Sequence, residues 1–527
     1  MSAFISRIPT LLLLSLFLWL CIRSAWLCDD SYISLRILKN FYSGDGLTWN
    51  PGQRVQAFSH PLWMLCLYFA GKIYGNLFLA NIGLSVILSI CSLFLISPDH
   101  RIPFLKSLIM LLPMGLLLFS KGFVDYTSSG LENPLSYFLF GLIYLQVSRQ
   151  KPRFSKKLYL LVALTVLNRM DTVLLLLPLL LYQWYQSPVQ TIRKALPGIM
   201  LLFAWLAFAT FYFGFPLPNT YYAKLHSLYS PGDYITRGQE YYVAQLNYDP
   251  ITFVIISFGV VLGQFHRSNL VKCLSLGILL YLFYIFRIGG DFMLGRFFAL
   301  PAYTSAFLIF CFFRDAKLRF SISFTALISV VCGAYLQYPT VFVPLQDARS
   351  DYRPKGLLRH TITDERAAYY EVNGLLSARR SWPKVKPNAN PNPLPEVRCL
   401  GLGRTGLKAD PKQVIVDYCA LTDPFLARLP AIYDPDWEIG HVRRYIPEGY
   451  LDSIYYHENR FTDSAMAMLW DDIHLVSYGN LWSMARLQAI WRLQTFTYDI
   501  DIEKSQHGKD YLQKEDQIKR DKTIDND

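Results

Sequence analysis

Two adjacent carboxylates, Asp29 and Asp30, directly follow the first apolar segment of the chain. Carboxylates held near a membrane surface can act as base or nucleophile toward a sugar, or can ligate a divalent cation. Acidic residues also flank membrane helices without any catalytic role, so the pair alone leaves both interpretations open. Glu132, in a Ser-Ser-Gly-Leu-Glu-Asn loop, and Asp291, after two glycines, could contact a substrate or serve only their own turns.

Two histidines are further candidate site residues. His60 and His441 have no close His or Cys partner along the chain, and a lone histidine is more often structural than catalytic. His441 lies beside Arg443 and Arg444, so it is kept as a candidate acceptor or metal contact, and His60 as a candidate substrate contact.

A mainly helical membrane scaffold must position these residues. The chain has 527 residues, 53% of them hydrophobic, and a mean hydropathy of +0.24. Its apolar residues occur in blocks, which recur from residues 10–26 to residues 322–336. About 20 mostly apolar residues cross a bilayer as a helix, so the blocks predict about eleven spans in a polytopic membrane protein. This count takes residues 158–182 as two short segments that are broken at Asn168–Asp171.

The basic residues predict the orientation. The formal net charge is +12, and short basic loops occupy residues 149–157, 193–194, 266–272 and 314–319. Positive loops stay on the cytoplasmic side of a membrane. We therefore predict a bacterial inner-membrane protein whose N-terminus and basic loops face the cytoplasm. The loops with the acidic candidates, and everything after about residue 341, then lie outside. The charge thus reflects topology and anionic lipid, and it predicts no nucleic-acid partner.

The composition changes after the last apolar block. We predict a transmembrane domain over residues 1–340, an external, periplasmic α/β domain over 341–502, and a charged, disordered tail over 503–527. The external part has a helical pattern at 361–378, strand patterns at 396–400 and 413–418, and a closing helical pattern at 485–497. Cys399 and Cys419 could form a disulfide there or remain two free thiols.

One glycine-rich motif resembles a dinucleotide-binding site, but its context does not support that function. Residues 401–406 match G-x-G-x-x-G after a strand-like run, but Pro411 would interrupt the helix that a dinucleotide fold needs. We therefore expect a glycine-rich turn between strands.

Several motifs occur in one order along the chain. The acidic pair precedes GDGLTWN at 44–50 and VQAFSHPLW at 55–63, and DPFLARLP at 423–430 precedes GHVRRYIPEGY at 440–450. With TSSGLENP at 127–134, NRMD at 168–171, PNTYYAKL at 218–225 and GGDFMLGR at 289–296, the chain resembles membrane glycosyltransferases of the large C-type (GT-C) fold. Over about residues 28–455 it resembles, in particular, the terminal β-(1→2)-arabinofuranosyltransferase family.

This resemblance implies a donor and an acceptor. The family uses decaprenyl-phosphoryl-arabinose, so we expect a polyprenyl-phosphate sugar donor and an external glycan, lipid glycan or glycoprotein acceptor. Applied to this sequence, the resemblance implies that Asp29 is the leading catalytic carboxylate and that Asp30 is its partner. The pair could also hold a divalent cation such as Mg, Mn or Ca. A carboxylate would stabilise the oxocarbenium-like transition state of sugar transfer. A β-linked product from a β-linked donor implies retention.

The leaving group of such a donor is a lipid phosphate, which needs cations at membrane depth. The candidates for binding the phosphate or another part of the substrate are Arg36, Arg169, Lys224, Arg287 and Arg296. Each could instead extend its charged end to the membrane surface, and Arg169 could pair with Asp171.

Two other functions compete. The same scaffold could transfer another lipid-linked sugar, such as mannose or aminoarabinose, because fold does not determine substrate. A transporter would instead show two similar halves with interrupted helices and charges in mid-membrane. The halves of this chain are not similar, and its acidic clusters lie in loops.

Overall fold

The computed structural model of the chain describes residues 7–99, 101–148, 154–225, 229–335, 362–378, 380, 393–434, 437–495 and 498. The predicted tail over 503–527 and the predicted domain boundary at 340–341 lie outside these residues, so the predicted domain division remains a prediction.

The described chain is mainly helical, as predicted. Its α-helices are Ile8–Ser24, Asp29–Ser43, Pro61–Tyr74, Leu77–Leu95, Phe104–Phe119, Lys121–Asp125, Asn133–Val147, Lys156–Asn168, Leu177–Gln186, Pro188–Phe213, Asn219–Leu225, Pro231–Tyr248, Pro250–Gln264, Asn269–Arg287, Arg296–Asp315, Leu318–Tyr335, Glu365–Asn373, Leu402–Lys408, Tyr450–Tyr456, Ser464–Tyr478 and Met484–Thr495. Short 3₁₀ helices occupy Met170–Leu175 and Leu426–Arg428, and two strands occupy Glu396–Arg398 and Ile415–Asp417.

Long apolar helices identify a membrane protein. Four helices among the described residues are long and apolar enough to cross a membrane: Leu77–Leu95, Pro188–Phe213, Asn269–Arg287 and Arg296–Asp315. The number becomes five if the pair Pro231–Tyr248 and Pro250–Gln264, bent by 104°, is one broken span. Shorter apolar helices lie at Ile8–Ser24, Phe104–Phe119 and Leu318–Val331.

The predicted break in the apolar block at 158–182 is confirmed. The helix Lys156–Asn168 ends where Arg169 adopts extended backbone angles (φ −163°, ψ 115°), and a 3₁₀ helix follows from Met170. Charged residues need partners inside a protein in lipid, and a non-helical segment lets Arg169 reach them.

The chain divides into two compact units made of non-contiguous segments. The first unit comprises Met1–Ser31, His60–Leu202 and Pro231–Trp382, and the second comprises Tyr32–Ser59, Phe203–Ser230 and Pro383–Asp527. Within the first unit, Arg296–Asp315 is the most deeply buried of the four candidate spans, and it packs against Pro250–Gln264 and Phe104–Phe119. This central helix begins at Arg296, one of the predicted site residues.

The second unit contains the two predicted strands. Glu396–Arg398 and Ile415–Asp417 pair in parallel, with Glu396 opposite Ile415. The predicted glycine-rich turn between them is wrong, because residues 402–408 form a short helix. The helix does end before Pro411, so it is far shorter than the helix of a dinucleotide fold. Of the two alternatives for the cysteines, the structure has the Cys399–Cys419 disulfide.

Two more predicted helices are confirmed in part of their predicted length. The pattern at 361–378 corresponds to the helix Glu365–Asn373, which Asp364 caps by accepting a hydrogen bond from the backbone N–H of Ala367 (3.1 Å). The pattern at 485–497 corresponds to the helix Met484–Thr495.

Candidate active site

The acidic pair lies at the start of the helix Asp29–Ser43, where the helix dipole favours carboxylates. The loop of residues 127–134 packs against this helix start, and the backbone N–H of Cys28 donates to the carbonyl of Ser129 (2.9 Å). Gly130 has a φ of +87°, and a Cβ atom there would lie 2.6 Å from Cβ of Ser31. Only glycine permits this approach, which brings the loop to the acidic pair.

The same loop carries Glu132, and a second motif is bonded to it. Nδ2 of Asn168 donates to the backbone carbonyl of Glu132 (3.0 Å) and to Oγ of Ser136 (2.9 Å). The neighbouring Arg169 then places Nη1 at 2.9 Å from Oε1 of Glu132. Glu132 is 2% exposed and its side chain makes no helix-capping hydrogen bond, so its carboxylate serves this ion pair instead.

Arg169 has carboxylate partners for its whole guanidinium group. Nε and Nη2 donate to the two carboxylate oxygens of Asp171 at 2.8 and 3.0 Å, which is the pairing that the sequence left open as one alternative. The hydroxyl of Tyr281 also donates to Asp171 (3.3 Å), and the guanidinium group lies 4.3 Å from the ring centre of Phe297. Arg169 is thus held firmly and has little capacity for a new ligand.

Arg296 joins three of the predicted carboxylates by longer contacts. Nη1 lies 3.8 Å from Oδ2 of Asp30 and 3.5 Å from Oδ2 of Asp291, and Nη2 lies 3.6 Å from Oε1 of Glu132. Its Nε atom is buried without a hydrogen-bond partner among the described residues. Arg296 is therefore the cation of this cluster that could accept a further anionic ligand.

The position of Asp291 depends on the glycines before it. Gly289 and Gly290 have φ values of +86° and +75°, and a Cβ atom on Gly290 would lie 2.4 Å from the ring of Tyr241. The Tyr241 hydroxyl donates to the carbonyl of Met293 (3.0 Å) and so holds the turn. The two glycines thus permit a close approach of this turn to Tyr241.

The cluster determines the ionisation of its members. Burial alone would raise the pKa of Glu132, but the charges of Arg296 and Arg169 outweigh burial and lower that pKa to about 2. Burial lowers the pKa of His60 to about 4, although Glu132 lies 3.6 Å from its Nδ1 atom. At neutral pH the site therefore contains an ionised Glu132 beside a neutral His60.

Sequence analysis missed one carboxyl group of this cluster, that of Glu365. Ion pairs among four charged side chains hold the chain segment that contains Glu365. Nζ of Lys121 lies 2.9 Å from Oδ2 of Asp364 and also pairs with Asp125, while Nη1 of Arg366 lies 2.9 Å from Oδ1 of Asp125. These groups are largely buried, so the network anchors the start of the helix Glu365–Asn373.

Hydrogen bonds at both ends of this segment connect it to the predicted site. Thr363 exchanges hydrogen bonds with Phe292 and Leu294, just after Asp291. At the other end, Nδ2 of Asn373 donates to the carbonyl of Leu27 (3.0 Å), just before the acidic pair. Glu365 therefore lies on a segment that bridges the two acidic positions.

Glu365 is 6% exposed and forms no ion pair with any described residue. Burial raises the pKa of its carboxyl well above the ordinary value, and the negative charges of Asp30, Asp29, Asp291 and Asp364 raise it further. Burial and these neighbouring charges therefore favour the neutral form of the Glu365 carboxyl. Its signal in the sequence is weak: three consecutive charged residues open a helix far along the chain from the acidic pair.

The structure does not bring every predicted residue into the cluster. Arg287 belongs to the same unit, but its side chain is exposed, whereas Glu132 and Asp291 are buried. Arg36, Lys224 and His441 belong to the second unit. There Arg36 donates to the carbonyls of Trp49, Gly406 and Gln413, a structural role that satisfies its guanidinium group.

The other two residues of the second unit have different surroundings. Lys224 is exposed on the helix Asn219–Leu225, and Nδ1 of His441 lies 3.7 Å from Oε2 of Glu438. Trp49 of the GDGLTWN motif and Trp63 of the VQAFSHPLW motif are completely buried.

A metal ion in a protein is held by several donor side chains together. Among the residues that the structure describes, no group of three or more His, Cys, Asp or Glu side chains has the arrangement to hold a metal ion. The divalent cation predicted at Asp29 and Asp30 therefore stays a prediction.

Together, the fold and the site define a helical membrane protein with a buried cluster of carboxylates and arginines. Comparisons with known proteins agree with the resemblance in the motifs. The chain is 27% identical over 338 residues to the terminal β-(1→2)-arabinofuranosyltransferase of Mycobacterium tuberculosis, covering 55% of this chain and 52% of the relative. It is 25% identical over 330 residues to the protein of the same name from Corynebacterium glutamicum, covering 53% and 47%.

These matches confirm the inferred resemblance, and both relatives are named as glycosyltransferases. The chain spans about half the length of the curated relatives it matches. No family model matches the chain, and no solved structure matches it.

Proposed function

We propose that the chain is a membrane glycosyltransferase that moves an arabinofuranosyl residue from a polyprenyl-phosphate donor to an external glycan, lipid glycan or glycoprotein. The observation that carries the proposal is the convergence on Arg296 of three carboxylates from separate motifs: Asp30, Glu132 and Asp291. Two relatives with this named activity support it. The donor would be of the decaprenyl-phosphoryl-arabinose type.

The acidic pair would act on the sugar. During transfer the bond from the anomeric carbon to the phosphate oxygen breaks and the acceptor oxygen bonds to that carbon. The acceptor hydroxyl gives its proton to a carboxylate of the acidic pair. Positive charge develops on the sugar ring, and a carboxylate beside the ring stabilises it. We assign this role to Asp29, with Asp30 as its partner, and retention would require an intermediate bond between Asp29 and the sugar.

The leaving phosphate would bind Arg296 in preference to Arg169. Asp171 and Glu132 already engage Arg169 at 2.8–3.0 Å, whereas the contacts of Arg296 are 3.5–3.8 Å long. A phosphate can replace long contacts at lower energetic cost than short, charge-assisted ones. Arg169 would then be a positioning residue, which holds Glu132.

The remaining carboxyl groups would orient the sugar. Glu132 and Asp291 are ion-paired acceptors for sugar hydroxyls, and neutral His60 is a weaker candidate. Glu365, as a neutral acid, can donate a hydrogen bond to a sugar or phosphate oxygen where a further negative charge would be repelled.

A divalent cation at the acidic pair is a separate proposal that rests on the sequence. If Mg, Mn or Ca binds there, a chelator should slow transfer and added metal should restore the rate. Unchanged transfer in the presence of chelator would contradict it.

We further propose that the chain resides in a bacterial inner membrane with about eleven spans, its N-terminus cytoplasmic and its C-terminal part periplasmic. The helical content and the apolar helices support the membrane location. Two exposed positions test the orientation: Lys157→Cys should react only from the cytoplasmic side and Arg287→Cys only from the periplasmic side. Labelling in the opposite sense would refute the topology. A Cys91→Ser background removes a native exposed thiol.

A donor panel tests the proposed reaction. Purified full-length protein in detergent would receive synthetic polyprenyl phosphates that carry arabinofuranose, mannose or aminoarabinose, with candidate acceptors. We expect transfer of arabinofuranose alone. Transfer of mannose or aminoarabinose instead would retain the reaction class and overturn the sugar, and no transfer from any of the three would contradict the proposal.

A further inference from the structure

Residues from three motifs that carry the family resemblance line one cavity of the second unit. The motifs are the VQAFSHPLW, PNTYYAKL and DPFLARLP segments. The cavity has a volume of about 230 Å³, including its opening to solvent. Its lining residues include Arg54, Gln56, Asn219, Tyr222 and Arg428. The convergence of three such segments suggests a function beyond packing.

Arg428 is fixed between two aromatic rings. Its guanidinium carbon lies 3.9 Å from the ring centre of Phe215 and 4.4 Å from that of Tyr222. Nη1 donates to Oδ1 of Asn219 (2.8 Å) and to the carbonyl of Pro424 (3.0 Å).

Asn219 in turn cannot rotate freely. Its Nδ2 atom donates to the carbonyls of Ala420, Leu421 and Asp423 at 2.9–3.2 Å. Its Oδ1 atom therefore faces Arg428, and the guanidinium group is held in one orientation before any ligand binds.

The two arginines of the cavity have unsatisfied donors. Nη2 of Arg428 and Nε of Arg54 are buried and have no hydrogen-bond partner among the described residues. Arg54 otherwise donates to the backbone carbonyls of Val476 and Gly479, and neither arginine forms an ion pair there. The lining contains no Asp or Glu. Both side chains are half-buried, and the charge of Asp423, outside the lining, acts on Arg428. The buried donors without a partner still carry a cost, and an external anion would compensate for it.

The position of the cavity indicates what carries the anion. Phe213 lines it and is the last residue of the candidate span Pro188–Phe213. The end of a membrane helix lies at the level of the lipid headgroups. Phosphate groups are the anions of that level, and arginine binds them with parallel hydrogen bonds.

We propose that this cavity binds a phosphate group, carried by a membrane lipid, through Arg428 and Arg54. The site is distinct in its residues from the acidic cluster, and it is tested by binding, without any turnover. Only the phosphate would contact the two arginines, and the hydrocarbon chains would remain in the bilayer.

Native mass spectrometry of the full chain, released from detergent, would count bound lipids. The probes are a short-chain phosphatidic acid, a diacylglycerol of the same chain length, and inorganic phosphate. We expect Arg428→Gln to weaken phosphatidic acid binding about tenfold or more, the effect of losing one charge-assisted hydrogen bond. Arg54→Gln should also weaken it, and diacylglycerol should not bind at the site.

Two control variants make the result specific. Arg460 is also stacked on a ring, that of Tyr456, but it pairs with Glu458 and does not line the cavity. Arg460→Gln should leave binding unchanged. Arg296→Gln removes phosphate binding at the candidate active site and should leave the Arg428-dependent binding unchanged.

The outcomes separate the source of the phosphate from the existence of the site. Binding of phosphatidic acid that depends on Arg428 supports a lipid phosphate. Binding of inorganic phosphate with the same dependence confirms the anion site but overturns the lipid as its source. Equal phosphatidic acid binding by wild type, Arg428→Gln and Arg54→Gln would overturn the proposal.

Discussion

The two compact units place arginines in opposite electrostatic surroundings. In the first unit, four carboxylates lie within ion-pair distance of Arg169 and Arg296. In the second unit, Arg54 and Arg428 line a cavity that has no carboxylate in its lining. An excess of carboxylates suits a reaction in which positive charge develops on a sugar, whereas unpaired arginines suit an anion that binds without reacting.

The largest effect should follow the loss of the cation that joins the acidic cluster. Arg296→Gln leaves three carboxylates without their shared partner and removes the proposed phosphate contact, so transfer should fall about 10²–10³-fold. The measurement is the rate of sugar transfer at saturating donor.

Arg314→Gln is the matched control, because Arg314 lies at the opposite end of the same helix and pairs with Asp315. It should change the rate of transfer little. Wild-type transfer by Arg296→Gln would contradict the claim that the acidic cluster of the first unit carries out the reaction.

The second effect concerns Glu365 and depends on pH. A carboxyl with a raised pKa is neutral below that pKa and gains a charge above it, next to Asp29, Asp30, Asp291 and Asp364. Wild-type transfer should therefore decline as pH rises through the pKa of Glu365. Glutamine resembles the neutral acid, so Glu365→Gln should stay within about threefold of wild type at neutral pH.

The informative measurement is the pH profile of transfer for both proteins. The alkaline decline should be absent from the Glu365→Gln profile. If both profiles decline alike, Glu365 is not the group that titrates, and its assignment to the site is wrong.

The smallest effect should be confined to the second unit. Replacing Cys399 and Cys419 by serine removes the disulfide that closes a loop of 20 residues. The expected loss is about 2–4 kcal/mol of the free energy of unfolding, seen as a lower melting temperature of the protein. An unchanged melting temperature would show that the disulfide contributes little to stability.

Much of the acidic cluster could be predicted because its residues interrupt apolar blocks or occupy glycine-rich loops. Asp30, Glu132, Arg169, Asp291 and Arg296 were all candidates, and the structure brings them together. The break at Arg169 was predictable for the same reason, since charges rarely occur inside an apolar helix without partners.

The remainder depends on contacts between distant parts of the chain. The helical pattern around Glu365 was visible, but its return to Asp29 and Asp291 depends on backbone hydrogen bonds and on the charges around Asp125, which no local pattern reveals. Arg36 was misleading for a related reason. Its partners are backbone carbonyls far along the chain, and an arginine that satisfies carbonyls looks in sequence like one that awaits a phosphate.

The central claim is that sugar transfer occurs at the acidic cluster of the first unit. Its most direct test is single-turnover transfer from polyprenyl-phosphoryl-arabinose by wild type, Asp29→Asn and Asp315→Asn. Asp315 also pairs with an arginine and a histidine in the first unit, but at the far end of the helix that begins at Arg296. We predict that Asp29→Asn inserts normally and loses transfer, while Asp315→Asn retains it. Wild-type transfer by Asp29→Asn would contradict the assignment.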